Sequence, residues 1–109
     1  MTVELAAVRL PTSLGWRGRK ILRNELGLRG RARSADVPLV GSGAVEPGFE
    51  VRLVQESEPG WSRIEVVGAA TTVAEAIDTG RMEERLSRAF NGLVVLGVPC
   101  SWVRPFGTR

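Results

Sequence analysis

The sequence predicts an α+β fold, a two-layer sandwich in which helices cover one face of an antiparallel sheet. Three features indicate it: residues 49–55 alternate between apolar and polar, an apolar stripe with helical spacing precedes them, and a second helical stretch follows. The chain has 109 residues, 43% hydrophobic and 25% charged, which is typical of one globular domain. The predicted order is strand, helix, arm, strand, strand, helix, strand, the ferredoxin-like order βαββαβ.

A strand and a helix are predicted for the first part of the chain. Residues 2–10, TVELAAVRL, form the strand, which ends before Pro11. Thr12 or Ser13 would cap a helix that runs to Leu26 and stops at Gly27. On a helical wheel, aliphatic side chains gather on one side, and one aromatic and three cationic side chains gather on the other. The aliphatic side has Leu14, Ile21, Leu22 and Leu26, and the opposite side has Trp16, Arg19, Lys20 and Arg23.

Three residues do not fit this helix easily. Gly15 and Gly18 each cost a helix about 1 kcal/mol relative to alanine, so an irregular first turn is expected. Glu25 falls within the aliphatic side and therefore needs a cationic partner, for which the nearby arginines are candidates.

Residues 28–48 are predicted to be a long loop or arm. They show no sustained period, and glycine, proline and serine are frequent. Arg29, Arg31 and Arg33 alternate along its start, and a short strand around Val37 to Val40 is an alternative for its centre. Connections of this length are uncommon in small domains unless they serve a function or are flexible.

The second half begins with a predicted hairpin. FEVRLVQ, 49–55, is its first strand, ESEPG, 56–60, its turn, and WSRIEVVG, 61–68, its second strand. A helical stretch follows, in which the apolar phase jumps at residues 78–80, so either two short helices meet there or one helix kinks. Asn91-Gly92 is expected to end it, LVVLGV, 93–98, to form a buried strand, and CSWVR, 100–104, to continue that strand past Pro99.

The residue types argue against an enzyme. The chain has no histidine and no tyrosine, which removes the commonest general base and a common general acid. Cys100 has no histidine to activate it and is expected to be a small buried residue. The carboxylates do not cluster, and Glu84 is best explained as a partner of Arg88 one helical turn later. The glycines of 40–48 lead into a strand, where a phosphate loop needs a helix. We therefore expect no catalytic residues, no metal site and no cofactor.

The charge is distributed unevenly. Residues 1–33 have eight Arg or Lys against two acids, a balance of +6, whereas residues 34–109 have seven against ten, a balance of −3. Such a bipolar chain can stack on copies of itself or bind nucleic acid through its basic end, and the sequence leaves both open. The predicted interaction residues are Trp16, Arg17, Arg19, Lys20, Arg23, Arg29, Arg31 and Arg33. Trp61 and Trp102 either belong to protein interfaces or cap the ends of the core.

Residues 63–90, RIEVVGAATTVAEAIDTGRMEERLSRAF, run from a hairpin strand through a junction of small residues into a helix. This segment resembles the C-terminal half of tail-terminator and related head–tail joining proteins of tailed bacteriophages. The resemblance implies a ring-forming structural subunit without enzyme activity, which contacts its own copies and other structural proteins of a virion.

We therefore expect a non-enzymatic assembly subunit of the phage tail or neck type. The alternative is a small RNA- or DNA-binding protein that uses residues 16–33. No apolar run reaches the roughly 18 residues of a membrane span, and one cysteine cannot form an intrachain disulfide. We expect synthesis in the cytoplasm, followed by incorporation into a virion if the protein is of the phage type.

Overall fold

The computed structural model describes residues 2–28, 39–40, 48–69 and 76–107. The strands in these ranges are β1 (Thr2–Pro11), β2 (Leu39–Val40), β3 (Phe49–Gln55), β4 (Trp61–Ala69) and β5 (Ser101–Arg104). The helices are α1 (Trp16–Leu26) and α2 (Ala76–Val95). Most of the predicted arm lies outside the described residues, but the strand predicted near its centre is present as β2.

The predicted α+β class and the order βαββαβ are confirmed, with β2 as a two-residue addition at one edge. The strands are arranged β2-β3-β4-β1-β5, and every neighbouring pair is antiparallel. The β3–β4 hairpin therefore places β4 beside β1 at the centre, while β5 pairs with the other side of β1. This is the strand arrangement of a ferredoxin-like sheet.

Alternation along the strands divides the sheet into a core face and an uncovered face. The register of β1 against β4 shifts between Glu4 and Ala6, so Leu5 is the extra residue of a bulge. Beyond the bulge, the even-numbered residues of β1 face the helices. The core consists mainly of Val8, Leu10, Leu22, Leu26, Val51, Ile64, Val66, Met82, Leu86 and Leu93, each at most 3% exposed.

Helix α1 begins later than predicted. Its N-cap is Gly15, with no side-chain cap, so the predicted caps Thr12 and Ser13 are wrong. The Thr12 hydroxyl has another use, because its Oγ1 lies 2.7 Å from Oγ of buried Ser62. The predicted end is confirmed: Gly27 adopts φ 70°, and the next residue, Leu28, donates its N–H to the carbonyl of Leu22 at 3.3 Å.

Helix α2 is one helix that continues past both of its predicted breaks. It runs through Gly80 and Gly92 to Val95, so the strand predicted at 93–98 is wrong. Gly97, two residues past the end of the helix, adopts φ 82°, and the N–H of Val98 donates to the carbonyl of Leu93 at 3.0 Å. Only the last part of the predicted final strand forms a strand, as β5.

Contacts between α1 and α2 explain why Gly92 lies within α2 and does not end it. A Cβ on Gly92 would stand 3.1 Å from Cδ1 of Ile21 on α1, and a Cβ on Gly18 would stand 3.4 Å from Cδ2 of Leu93 on α2. Each helix thus accepts an aliphatic side chain of the other at a glycine. Gly92 is a contact point between helices, and Gly18 is buried there without disturbing α1.

Two further contacts link neighbouring elements: one joins the two helices, and the other joins α2 to β5. Glu25 of α1 accepts a hydrogen bond from Arg88 Nε of α2 at 2.9 Å, so its predicted arginine partner is on the other helix. The predicted pair of Arg88 with Glu84 is confirmed at 3.0 Å. Trp102 of β5 stacks on Phe90 of α2 with ring centroids 5.1 Å apart, which favours the interpretation that Trp102 caps the core.

No helix in the described ranges is long and apolar enough to cross a membrane.

Candidate functional site

The outward side of α1 carries an exposed tryptophan among cations. Trp16 is 65% exposed, and Arg19, Lys20 and Arg23 are exposed beside it. Their spacing of three, four and seven residues from Trp16 places them on one side of the helix, as the sequence predicts. We call Trp16, Arg19, Lys20 and Arg23 the cationic rim.

The rim borders a groove with an apolar floor. The groove has a volume of about 810 Å³, and besides the rim it is lined by Leu22, Leu28 and Leu53. All three leucines are buried. The glycine turn at Gly27 directs the chain back so that Leu28 lies near Leu22, and Leu53 comes from β3. The volume lies within the range of about 300–1,000 Å³ that small-molecule sites occupy.

The sequence did not predict the apolar floor of the groove. The other predicted interaction residues lie either outside the groove or outside the described residues. Leu22 and Leu28 are adjacent to the rim in sequence, but Leu53 reaches the groove only through the sheet. Arg17 lies outside the groove, and its guanidinium carbon is 5.4 Å from the Trp16 ring centroid. Arg29, Arg31 and Arg33 lie outside the described residues.

The rim cations have no acidic partner among the described residues. In the described ranges, Arg19, Lys20 and Arg23 form no ion pair. The first turn of α1 contains no acid, and the one carboxylate of this helix, Glu25, binds Arg88. The rim therefore presents three cations whose charge no described carboxylate neutralises.

The face of the sheet opposite the described helices is also charged, but there the positive and negative side chains are paired. Each arginine of this face is paired with a carboxylate. We call the charged residues of the strands on this side the sheet face: Glu4, Arg9, Glu50, Arg52, Arg63, Glu65 and Arg104. Arg63 binds both Glu65 and, at 3.3 Å, Glu4. Arg9 binds Glu56 at 2.6 Å and also Glu58 in the hairpin turn.

The sheet face offers no free aromatic ring for stacking. The guanidinium carbon of Arg9 lies 4.0 Å from the ring centroid of Trp61, so a cation already occupies that ring. The hydrogen bond to Glu56 raises the pKa of Arg9. Burial, together with a hydrogen bond to Glu65, raises the pKa of the Glu4 carboxyl. This face is thus a set of mutually satisfied charges that stabilises the sheet.

Two observations concern the residue types that carry metal and thiol chemistry. These residues contain no group of three or more His, Cys, Asp or Glu placed to hold a metal ion. The Cys100 thiol is half-buried, and burial raises its pKa, which disfavours the nucleophilic thiolate.

No family model matches the chain, and no curated protein or solved structure is significantly similar to it.

Proposed function

We propose that this protein is a non-enzymatic structural subunit that assembles with copies of itself. The observation that supports this is a set of exposed apolar side chains at the end of α2 and on β5, which we call the apolar end. It consists of Val94, Val95, Leu96 and Val103, which are 49%, 85%, 39% and 46% exposed. Three consecutive exposed aliphatic residues, 94–96, on a small domain favour a contact with another chain.

The apolar end follows the stacked aromatic pair that joins α2 to β5, and its helical part lacks cations. Val94 lies one helical turn beyond Phe90, and Val103 follows Trp102, so both valines flank the stacked pair of aromatic rings. The last turn of α2 contains no basic residue, although cations are favoured at the end of a helix.

The edge strand β5 supplies backbone groups to the same surface. No described strand pairs with its outer edge, so a strand of a second copy can extend the sheet there. Pro99 and Pro105 flank β5 and limit such pairing to a short segment, which favours a defined contact over open-ended aggregation.

The resemblance to tail-terminator and head–tail joining proteins gives the proposal its more specific form. In that form the copies close into a ring at the junction of a phage tail and its neck, where other structural proteins of the virion bind. A contact between two different surfaces of the subunit closes a ring, whereas a contact of β5 with itself gives a dimer.

Native mass spectrometry of the purified protein tests the proposal. We expect the wild type to form one oligomer of fixed stoichiometry, and Val95→Asp to convert it to monomer because a carboxylate would be buried in the contact. Trp16→Asp is the matched control, since it places the same charge at an exposed apolar residue on α1. It should leave the number of copies in the oligomer unchanged. A wild type that stays monomeric at every accessible concentration would refute the proposal.

A further inference from the structure

We infer that the groove beside α1 is a binding site for single-stranded nucleic acid, in which a base stacks on Trp16 and the neighbouring phosphates contact Arg19, Lys20 and Arg23. This inference does not depend on self-association, because the groove and the apolar end share no residue.

The charges of the rim select an anionic ligand. The arginines of the sheet face and Arg88 all have carboxylate partners, whereas Arg19, Lys20 and Arg23 have none among the residues that the structure describes. Arg19 and Arg23 are also one helical turn apart, so they repel each other unless an anion lies between them. A chain of phosphates supplies negative charges at regular spacing along such a row.

The apolar parts of the groove select a base. The ring of Trp16 is exposed at the rim, and bases of any sequence stack on such rings. The floor of Leu22, Leu28 and Leu53 accepts the flat, weakly polar face of a base, and the volume of about 810 Å³ accommodates a nucleotide. A base can enter only if it is unpaired, so the ligand is single-stranded.

The groove and the sheet face differ in whether their cations are already paired with described carboxylates. On the sheet face, a phosphate would have to displace a carboxylate from each arginine, and Arg9 already covers Trp61. At the groove no described carboxylate has to be displaced, and the Arg17 guanidinium carbon lies 5.4 Å from the Trp16 ring centroid, farther than the 4.0 Å between Arg9 and Trp61. Nucleic acid should therefore bind at α1 and leave the sheet face free.

Fluorescence anisotropy with a labelled single-stranded oligothymidylate, measured across a series of salt concentrations, tests the inference. Arg19→Gln/Arg23→Gln should weaken binding and reduce the magnitude of the slope of log K against log salt by about 1.4, because two phosphate contacts of a single strand are lost. Trp16→Ala should weaken binding about tenfold and leave the slope unchanged, because stacking releases no counterions. Arg81→Gln, at an exposed arginine of α2, should change neither quantity.

Three results would overturn the inference. The first is that the Arg19→Gln/Arg23→Gln variant, shown by circular dichroism to be folded, binds as tightly as Arg81→Gln. The second is that a duplex of the same length binds as tightly as the single strand, which would remove the role of the base. The third is that an oligoglutamate of equal charge binds as tightly as the oligonucleotide, which would identify an acidic protein as the ligand. A monomeric wild type that binds as expected would refute only the proposed assembly.

Discussion

Arginine has two different roles on the two charged surfaces of this protein. On the sheet face each arginine lies beside a carboxylate, and Arg63 lies between Glu4 and Glu65. On the cationic rim Arg19, Lys20 and Arg23 lie together without an acid. Neighbouring like charges destabilise a fold slightly, whereas paired charges stabilise it or leave its stability unchanged. The comparison indicates that the rim is not explained by stability and is available to a ligand.

Removal of the central cation of the sheet face should give the largest difference between the two surfaces. Arg63→Met would leave Glu4 and Glu65, which are only 25% and 15% exposed, beside each other without the cation between them. We expect the free energy of unfolding to fall by about 2 kcal/mol. The same substitution on the rim, Lys20→Met, should change it by less than about 0.5 kcal/mol. Urea denaturation followed by circular dichroism measures both values, and equal losses would show that the two surfaces do not differ.

A smaller effect should come from the pH dependence of the sheet face. Burial raises the pKa of the Glu4 carboxyl in the folded protein above its unfolded value of about 4.3. The folded state therefore binds the proton more tightly, so acidification stabilises the fold through this group. As pH falls from neutrality, the wild type should gain stability relative to Glu4→Gln, and the gain should be complete below pH of about 4.3. Denaturation midpoints of the two proteins at a series of pH values measure the gain, and a difference that stays constant or shrinks would contradict it.

The smallest effect should come from a single charge on the rim, and it should have the opposite sign to that of Arg63→Met. Arg19 lies near the positive end of α1 and one turn before Arg23, so both the helix dipole and the like charge disfavour it. Arg19→Gln should therefore raise the free energy of unfolding by about 0.5 kcal/mol at low salt and by almost nothing at 1 M salt. Thermal unfolding at the two salt concentrations checks this. A loss of stability would show that Arg19 has a stabilising partner.

Much of the fold could be predicted from periodicity, because an element buried on one face has apolar residues at regular spacing in the sequence. This spacing predicted the hairpin of β3 and β4 and the buried side of α1. Gly92 misled the prediction because a glycine at a helix end and a glycine at a helix contact look the same in sequence. Only the position of Ile21 on the other helix separates the two cases.

The site was predictable in part. Helical spacing alone placed Trp16 and the three rim cations on one side of α1. The floor required tertiary structure, since Leu53 reaches the groove through the order of strands in the sheet. The charge pairing on the sheet face also could not be predicted, because Glu4 meets Arg63 and Arg104 only through the register of β1 with its two neighbours.

The glycine contacts between the helices have a consequence for recognition. Ile21 fits at Gly92 and Leu93 fits at Gly18, so α1 is fixed against α2 at two points in opposite directions. Two such contacts oppose both rotation of α1 about its own axis and sliding along α2. The direction in which its outward side chains leave the backbone is therefore set before any ligand arrives. Association then loses little entropy in orienting the helix, and the affinity of the surface depends mainly on the side chains themselves.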